Sequence, residues 1–214
     1  MRRILSRIGG LIVHPEQTVS ILVHEGPGLG EASLFVLLFS LSRWISVVLA
    51  FKHLLYYVVG FLPIKGILDF AFNIVAPIAL FGGIISDLLL WVIISVGSYA
   101  ILRAIEKITG GLEEGLSLIG YSWIGSVFIV VPSILVPFLP IAGMVAMLLG
   151  TVIGLIWGAY IASLALSKVY GVSFTTALIA IVLTGLVLMA IFTLPLALQF
   201  LIFPWRFLVP WWST

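Results

Sequence analysis

Long runs of apolar residues dominate the chain, and polar residues do not alternate with them as they would in a half-buried strand. Five runs reach the roughly 20 residues that an α-helix needs to cross the hydrocarbon layer of a membrane. They cover residues 32–50, with a continuation toward residue 60, and residues 74–102, 116–139, 141–167 and 175–203. Because lipid cannot satisfy the backbone of an open strand, the pattern predicts an all-α integral membrane protein with five transmembrane helices.

Proline and charge mark the ends of these helices. Pro132, Pro137 and Pro140 are predicted to end or bend the third helix, because proline cannot donate a hydrogen bond to the helix ladder. The turn at residues 137–143 is short and uncharged, so the third and fourth helices should form an antiparallel hairpin. Residues 52–73 are apolar but carry charge, and we interpret them as an extension of the first helix followed by a helix at the membrane interface.

The N-terminal segment has a different, amphipathic pattern. We therefore divide the chain into an interfacial segment at residues 1–30 and a single transmembrane domain at residues 31–214. In residues 2–13 one helical face is apolar, with Ile4, Leu5, Ile8, Leu11 and Ile12. The other face is polar, with Arg3, Arg7 and His14. Such a helix can lie along the membrane surface and bind anionic lipid, either as a simple anchor or as an element that senses or bends the membrane.

Composition narrows the class of protein further. The chain is 63% hydrophobic and 8% charged, whereas an ordinary soluble domain is roughly 45–50% apolar and about 25% charged. A soluble enzyme and a disordered chain are both excluded by this balance. The net charge of +2 and the scattered basic residues also argue against nucleic acid as a partner. The predicted partner is the lipid bilayer, with another membrane protein or a second copy of the chain as a further possibility.

The basic residues near the ends of the spans predict the orientation, because cytoplasmic loops are enriched in Lys and Arg. Six lie on the side of the N-terminus: Arg2, Arg3, Arg7, Arg103, Lys107 and Lys168. Three lie on the opposite side: Lys52, Lys65 and Arg206. This bias predicts a protein of the cell membrane with a cytoplasmic N-terminus and an external C-terminus.

No motif of a known catalytic or metal-binding type is found. The sequence has no cysteine, and its three histidines lack the spacing of metal ligands, so no metal or cofactor is predicted. The one adjacent acidic pair, Glu113 and Glu114, falls in the predicted loop at residues 110–115. That pair could bind a cation or a basic partner, or it could belong to a solvated loop. The sequence therefore predicts a protein that is not an enzyme.

Two charged residues fall well inside the predicted spans. Arg43 and Asp87 come within roughly 6 Å of the same depth when their helices run in opposite directions at 1.5 Å per residue. A single charge at mid-membrane costs at least about 2.5–3.5 kcal/mol, so each is expected to face inward and to find a partner. The two residues are predicted to pair, either to hold two helices together or to form a polar site within the bundle.

The fourth span carries small residues at every fourth position. The residues are Ala146, Gly150, Gly154, Gly158 and Ala162. They share one helical face, and small residues on one face let two helix backbones approach closely. This face is predicted to pack tightly against another helix, either of the same chain or of a second copy.

The start of the third span resembles a known family. Gly110 and Gly111, followed after a gap by Gly120, Tyr121 and Ser122 at the head of an apolar span, are similar to the pattern of the Yip family. The five-span layout and the short hairpin are similar too, over roughly residues 11–203. The family usually has a proline shortly after this Gly-Tyr-Ser, where this sequence has Gly125.

The resemblance implies an integral α-helical protein with a cytoplasmic N-terminus and no enzymatic activity. Eukaryotic members are implicated in vesicle trafficking and membrane shaping. The leading functional hypothesis is therefore a non-enzymatic membrane-organising protein, acting as an adaptor or scaffold. The alternative is a small-solute or ion transporter or channel with its polar site at Arg43 and Asp87.

Overall fold

The described part of the chain is almost entirely helical. The computed structural model describes residues 2–59 and 65–208, with side chains for residues 6–59, 66–191 and 193. Its helices are α1 (Arg2–Val13), α2 (Pro15–Glu25), α3 (Leu29–Val59), α4 (Lys65–Ile105), α5 (Leu112–Gly120), a 3₁₀ helix (Tyr121–Ser126), α6 (Val127–Ser133), α7 (Pro140–Tyr170) and α8 (Phe174–Leu208).

Five segments of the described chain are long and apolar enough to cross a membrane. They are Leu29–Val59, Gly66–Ile105, Leu112–Ser133, Pro140–Tyr170 and Phe174–Ile191. Large apolar side chains cover the outer faces of α3, α4, α7 and α8. These faces suit contact with lipid, and the predicted fold class of an all-α membrane protein with five spans is confirmed.

The third span is the central element of this bundle. In its most apolar window 56% of the residues are buried, against 22% in the corresponding window of each of the other four spans. It packs against α3, α4 and α7. The third span therefore forms the core around which the other helices are arranged, and its residues are enclosed by protein rather than by lipid.

The third span ends beside Pro132, as predicted from its prolines, and a 3₁₀ helix lies within it. It begins at Leu112, passes through the 3₁₀ helix, and ends with α6 at Ser133. Turns then occupy residues 134–139, and Pro140 starts α7 at a position where a helix needs no backbone donor. The predicted hairpin between the third and fourth spans is present, but its turn lies at residues 134–139 and not at the predicted residues 137–143.

In the charged segment at residues 52–73, the predicted extension of the first helix is present, and the predicted interfacial helix is not. Its described residues form no separate interfacial helix, because residues up to Val59 continue α3 and α4 runs on unbroken from Lys65, while residues 60–64 lie outside the described residues. Two charged side chains of this segment contact aromatic residues of the facing helix. The Tyr56 hydroxyl donates to Asp69, and the Lys52 ammonium lies 5.2 Å from the ring centre of Phe72. Lys52 and Asp69 thus have partners within the α3–α4 pair.

The N-terminal helices fold onto the bundle. The helix predicted over residues 2–13 is present as α1, while the side chains of Arg3, Ile4 and Leu5 lie outside the described residues. Leu11 of α1 and Leu22 of α2 are fully buried, in a cluster that includes the buried 3₁₀ helix. The apolar faces of α1 and α2 thus contact protein. A position along the membrane surface stays a prediction.

The small-residue face of α7 packs within the chain, against the 3₁₀ helix and α6. A Cβ atom at Gly154 would overlap the carbonyl oxygen of Gly125, and a Cβ at Gly150 would overlap that of Phe128. Gly158 lies one turn further on, where a Cβ would be 3.1 Å from the Ser122 carbonyl oxygen. Ala162 is buried at the end of the same face, and Ala146 is half-buried at its start.

We expect Gly154→Leu to destabilise the bundle, because its side chain would have to displace the backbone of the 3₁₀ helix. Overpacking of this kind costs about 1–3 kcal/mol or more. Thermal unfolding in detergent should show a clearly lower midpoint. Gly82→Leu is the matched control, since a Cβ at this exposed glycine of α4 meets no atom within 4 Å. Equal midpoints for the two variants would contradict the packing described here.

Candidate functional site

The two intramembrane charges are in contact. Arg43 of α3 donates from Nη2 to Asp87 Oδ1 of α4. Asp87 is only 1% exposed, whereas the Arg43 side chain is 24% exposed. The aspartate is thus enclosed by protein, while the guanidinium reaches the edge of an open space. The antiparallel packing of α3 and α4 brings together two residues that the sequence placed at the same depth.

Trp44 is a second hydrogen-bond partner of Asp87. Trp44 donates from Nε1 to Asp87 Oδ2 at 3.2 Å, and the Arg43 guanidinium lies 5.6 Å from the centre of its ring. The ring lies directly on Gly83, where a Cβ would overlap it. Gly83 precedes Asp87 by one helical turn, so the missing side chain lets the indole reach the carboxylate. The sequence pattern predicted neither the contact of Trp44 nor that of Gly83.

A cavity of about 260 Å³ opens beside the Arg43–Asp87 pair. We call it the intramembrane cavity. Its walls come from α3, α4, the 3₁₀ helix, α6, α7 and α8, and most of its lining residues are apolar or small. The lining residues with polar side-chain groups are Arg43, Asp87, Ser122, Trp123, Ser126 and Thr151. Gly154 and Gly158 line it too, so the small-residue face of α7 both packs against the third span and forms part of this cavity.

The glycine and tyrosine pattern at the start of the third span makes specific contacts. Gly110 and Gly111 lie under Tyr170 of α7, whose hydroxyl donates to the Gly111 carbonyl at 3.0 Å. Gly120 lies against Ala32 of α3, and a Cβ at Gly120 would be only 3.1 Å from the Ala32 Cβ. Tyr121 is buried and Ser122 lines the intramembrane cavity. These residues therefore hold the third span against α3 and α7.

The prediction that Arg7 belongs to a polar face available to lipid headgroups is wrong. It is 6% exposed and forms ion pairs with Glu25 and Glu31. Its Nη1 atom also donates to the Tyr121 hydroxyl at 2.8 Å. We call Arg7, Glu25, Glu31 and Tyr121 the Arg7 clasp. It joins α1, α2, α3 and the 3₁₀ helix at one point, and nothing in the sequence pattern predicted it.

The acidic pair lies on a helix rather than in a loop. Glu113 and Glu114 occupy the first turn of α5, where negative charge is favourable to the helix dipole. They line a second cavity of about 470 Å³ together with the Gly26–Gly28 connection and Ser117. We call this the acidic cavity. Ser117 is 2% exposed.

Among the residues that the structure describes, no group of three or more His, Asp or Glu side chains could hold a metal ion.

The fold and the buried charge pair define a five-span helical membrane protein with a protein-enclosed third span. A family model described as the Yip1 domain matches residues 9–195. The chain therefore belongs to the Yip family, and the resemblance seen in the sequence is confirmed. No curated protein and no solved structure matches the chain.

We expect Arg43→Leu and Asp87→Leu each to destabilise the protein strongly. Removing one partner leaves an unpaired buried charge, which typically costs about 3–5 kcal/mol. The double variant should lose less than the sum of the two single losses, because no unpaired charge is left. Unfolding of all four proteins in the same detergent completes this double-mutant cycle. Strictly additive losses would show that the two residues are not energetically coupled.

We expect Arg7→Met to loosen α1 and α2 from the bundle, since two carboxylates and the Tyr121 hydroxyl lose their shared donor. A hydrogen bond to a charged group is worth about 1.5–3 kcal/mol, so amide exchange in α1 and α2 should become about tenfold faster or more. Hydrogen–deuterium exchange by mass spectrometry measures this. Arg103→Met, at an exposed arginine of α4, is the control. Unchanged exchange in the Arg7 variant would mean that the clasp does not hold the helices.

Proposed function

We propose that this Yip-family protein is a non-enzymatic adaptor or scaffold that organises membranes. The observation that carries the proposal is the Arg7 clasp, which fixes two amphipathic helices to the end of the transmembrane bundle. The acidic cavity lies beside these helices, between Val23 of α2, the Gly26–Gly28 connection and the first turns of α5. A fixed surface of this kind suits a partner that must be recognised beside the membrane.

The acidic cavity favours a partner with a basic segment. Glu113 and Glu114 are both exposed and lie on its rim, and Ser117 supplies a hydroxyl from its wall. A Lys or Arg side chain entering there would meet two carboxylates and a hydroxyl. The expected partner is therefore another membrane protein with a basic segment. An experiment must distinguish that partner from a second copy of the chain.

We also propose that the N-terminus and the acidic cavity face the cytoplasm of the cell membrane. The support is the six-to-three bias of Lys and Arg between the two sides of the sequence. In this orientation the acidic cavity is accessible to cytoplasmic segments of partner proteins.

The transporter or channel hypothesis gains no support from the family match. The observation that would support it is a polar path through the bundle, because ion pathways are lined by rings of carbonyls or charged side chains. The intramembrane cavity is lined mainly by apolar and small residues, and its aspartate is already bonded to Arg43 and Trp44. A transporter or channel function is therefore not proposed.

A single cysteine tests both the orientation and the adaptor role. The chain has no cysteine of its own, and Gly28 lines the acidic cavity at a place where a Cβ meets nothing within 4 Å. Gly28→Cys should react with an impermeant maleimide in inverted membrane vesicles and not in intact cells. A photo-crosslinker attached to it in native membranes should then capture one defined protein, identified by mass spectrometry and by reciprocal capture.

Charge reversal provides the control for this experiment. Glu113→Lys combined with Glu114→Lys should abolish the crosslink, because a basic segment would be repelled. Glu106→Lys changes an exposed acidic residue outside the acidic cavity and should leave the crosslink intact. Labelling from the outside of cells would contradict the orientation, and a crosslink that survives the double reversal would contradict the acidic recognition surface.

A further inference from the structure

We propose that the intramembrane cavity binds an acyl chain of a membrane lipid together with the ester group at the head of that chain. The inference concerns a ligand and does not rest on the adaptor role. It follows from where the cavity opens, how large it is, and which polar groups on its wall lack partners.

The opening of the cavity faces the lipid side of the bundle. Two of its lining residues lie on the outer faces of α7 and α8: Leu155, which is 69% exposed, and Gly185. A Cβ at Gly185 would meet no atom within 4 Å, so space is left open there. Since both helices lie among the membrane spans, the molecules that reach this opening are those of the bilayer.

The size and lining of the cavity suit part of a lipid. Its volume of about 260 Å³ is below the roughly 300–1,000 Å³ of pockets that enclose drug-sized ligands. A whole lipid would not fit, whereas a segment of one hydrocarbon chain would. Side chains such as Leu90, Ile94 and Ile129 provide apolar contact for that chain.

Polar groups on the cavity wall favour a polar atom in the ligand. The hydroxyls of Ser122 and Ser126, which are 8% and 5% exposed, line the cavity. Trp123 lines it too, and its Nε1 is buried with no hydrogen-bond partner within the described residues. Buried polar groups without partners are uncommon in folded proteins. The Arg43 guanidinium has five N–H donors, and its bond to Asp87 is made through Nη2. A ligand with oxygen acceptors would satisfy these donors.

The charge of the site favours a neutral acceptor. Arg43 and Asp87 already neutralise each other, so a fatty-acid carboxylate would add an unpaired negative charge to a low-dielectric site at considerable cost. An ester group adds two oxygen acceptors and no charge. The ligand expected from this balance is therefore an ester-linked acyl chain.

Photolabelling from within the membrane tests the proposal. The purified protein is placed in nanodiscs containing phosphatidylcholine with a diazirine in one acyl chain close to the ester. Labelling of the 3₁₀ helix at its buried cavity-lining residues Ser122, Gly125 and Ser126 is the readout, because protein shields these residues from bulk lipid. An alkane of equal length with the same diazirine but no oxygen is the comparison probe.

Three variants sharpen the result. Gly185→Leu fills the opening and should remove most labelling of the 3₁₀ helix, whereas Gly82→Leu, at an exposed glycine outside the cavity, should leave it unchanged. Ser122→Ala combined with Ser126→Ala keeps the cavity open but should lower labelling by the ester lipid roughly twofold to tenfold for each hydrogen bond lost. The alkane should label this double variant as well as it labels the wild type.

Each other outcome overturns the proposal. An unlabelled 3₁₀ helix in the wild type would mean that lipid does not enter. Labelling that survives Gly185→Leu would mean that the probe arrives by another route. Equal labelling of the wild type by the lipid and the alkane would mean that the cavity accepts any hydrocarbon and does not recognise an ester. Circular dichroism of each variant verifies that its helices are intact.

Discussion

The need to pair every charge inside a membrane is the constraint on which the structure depends. Asp87 lies in a span and is 1% exposed, so it must be bonded within the protein. Its partners Arg43 and Trp44 both come from α3, which fixes the depth and the rotation of α3 relative to α4. Gly83 then has to lack a side chain, because the Trp44 ring occupies that space. One buried carboxylate thus sets the geometry of two long helices.

A second pair of elements, α7 and the third span, is joined by backbone contact instead of charge. Gly154 and Gly125 approach so closely that neither position has room for a Cβ. Lipid gives helices no hydrophobic reason to associate, so close packing of small residues has to supply the attraction. The same small residues leave space where they do not touch, and the intramembrane cavity is that space. Tight packing and an internal cavity therefore have one origin in the sequence.

The sequence predicted the features that the membrane itself imposes. The five spans follow from the length of the apolar runs, and the Arg43–Asp87 contact follows from depth, since a charge in hydrocarbon needs a partner at its own level. The 3₁₀ helix within the third span could not be predicted, because Gly125 is required by the backbone of α7 and not by its own neighbours. Trp44 was missed for a similar reason, since an aromatic residue in a span is unremarkable until its position against Gly83 is known.

The Arg7 clasp shows a limit that applies to amphipathic helices in general. A two-faced pattern shows that one face is buried, but it does not say whether lipid or protein covers that face. Here protein covers it, because Leu11 and Leu22 are fully buried in the core beside the third span. Arg7 follows from the same geometry, since its helical position carries it to Tyr121, 114 residues away in sequence. The N-terminal helices are therefore part of the folded domain, and any partner that binds them meets a surface whose shape the transmembrane bundle has already set.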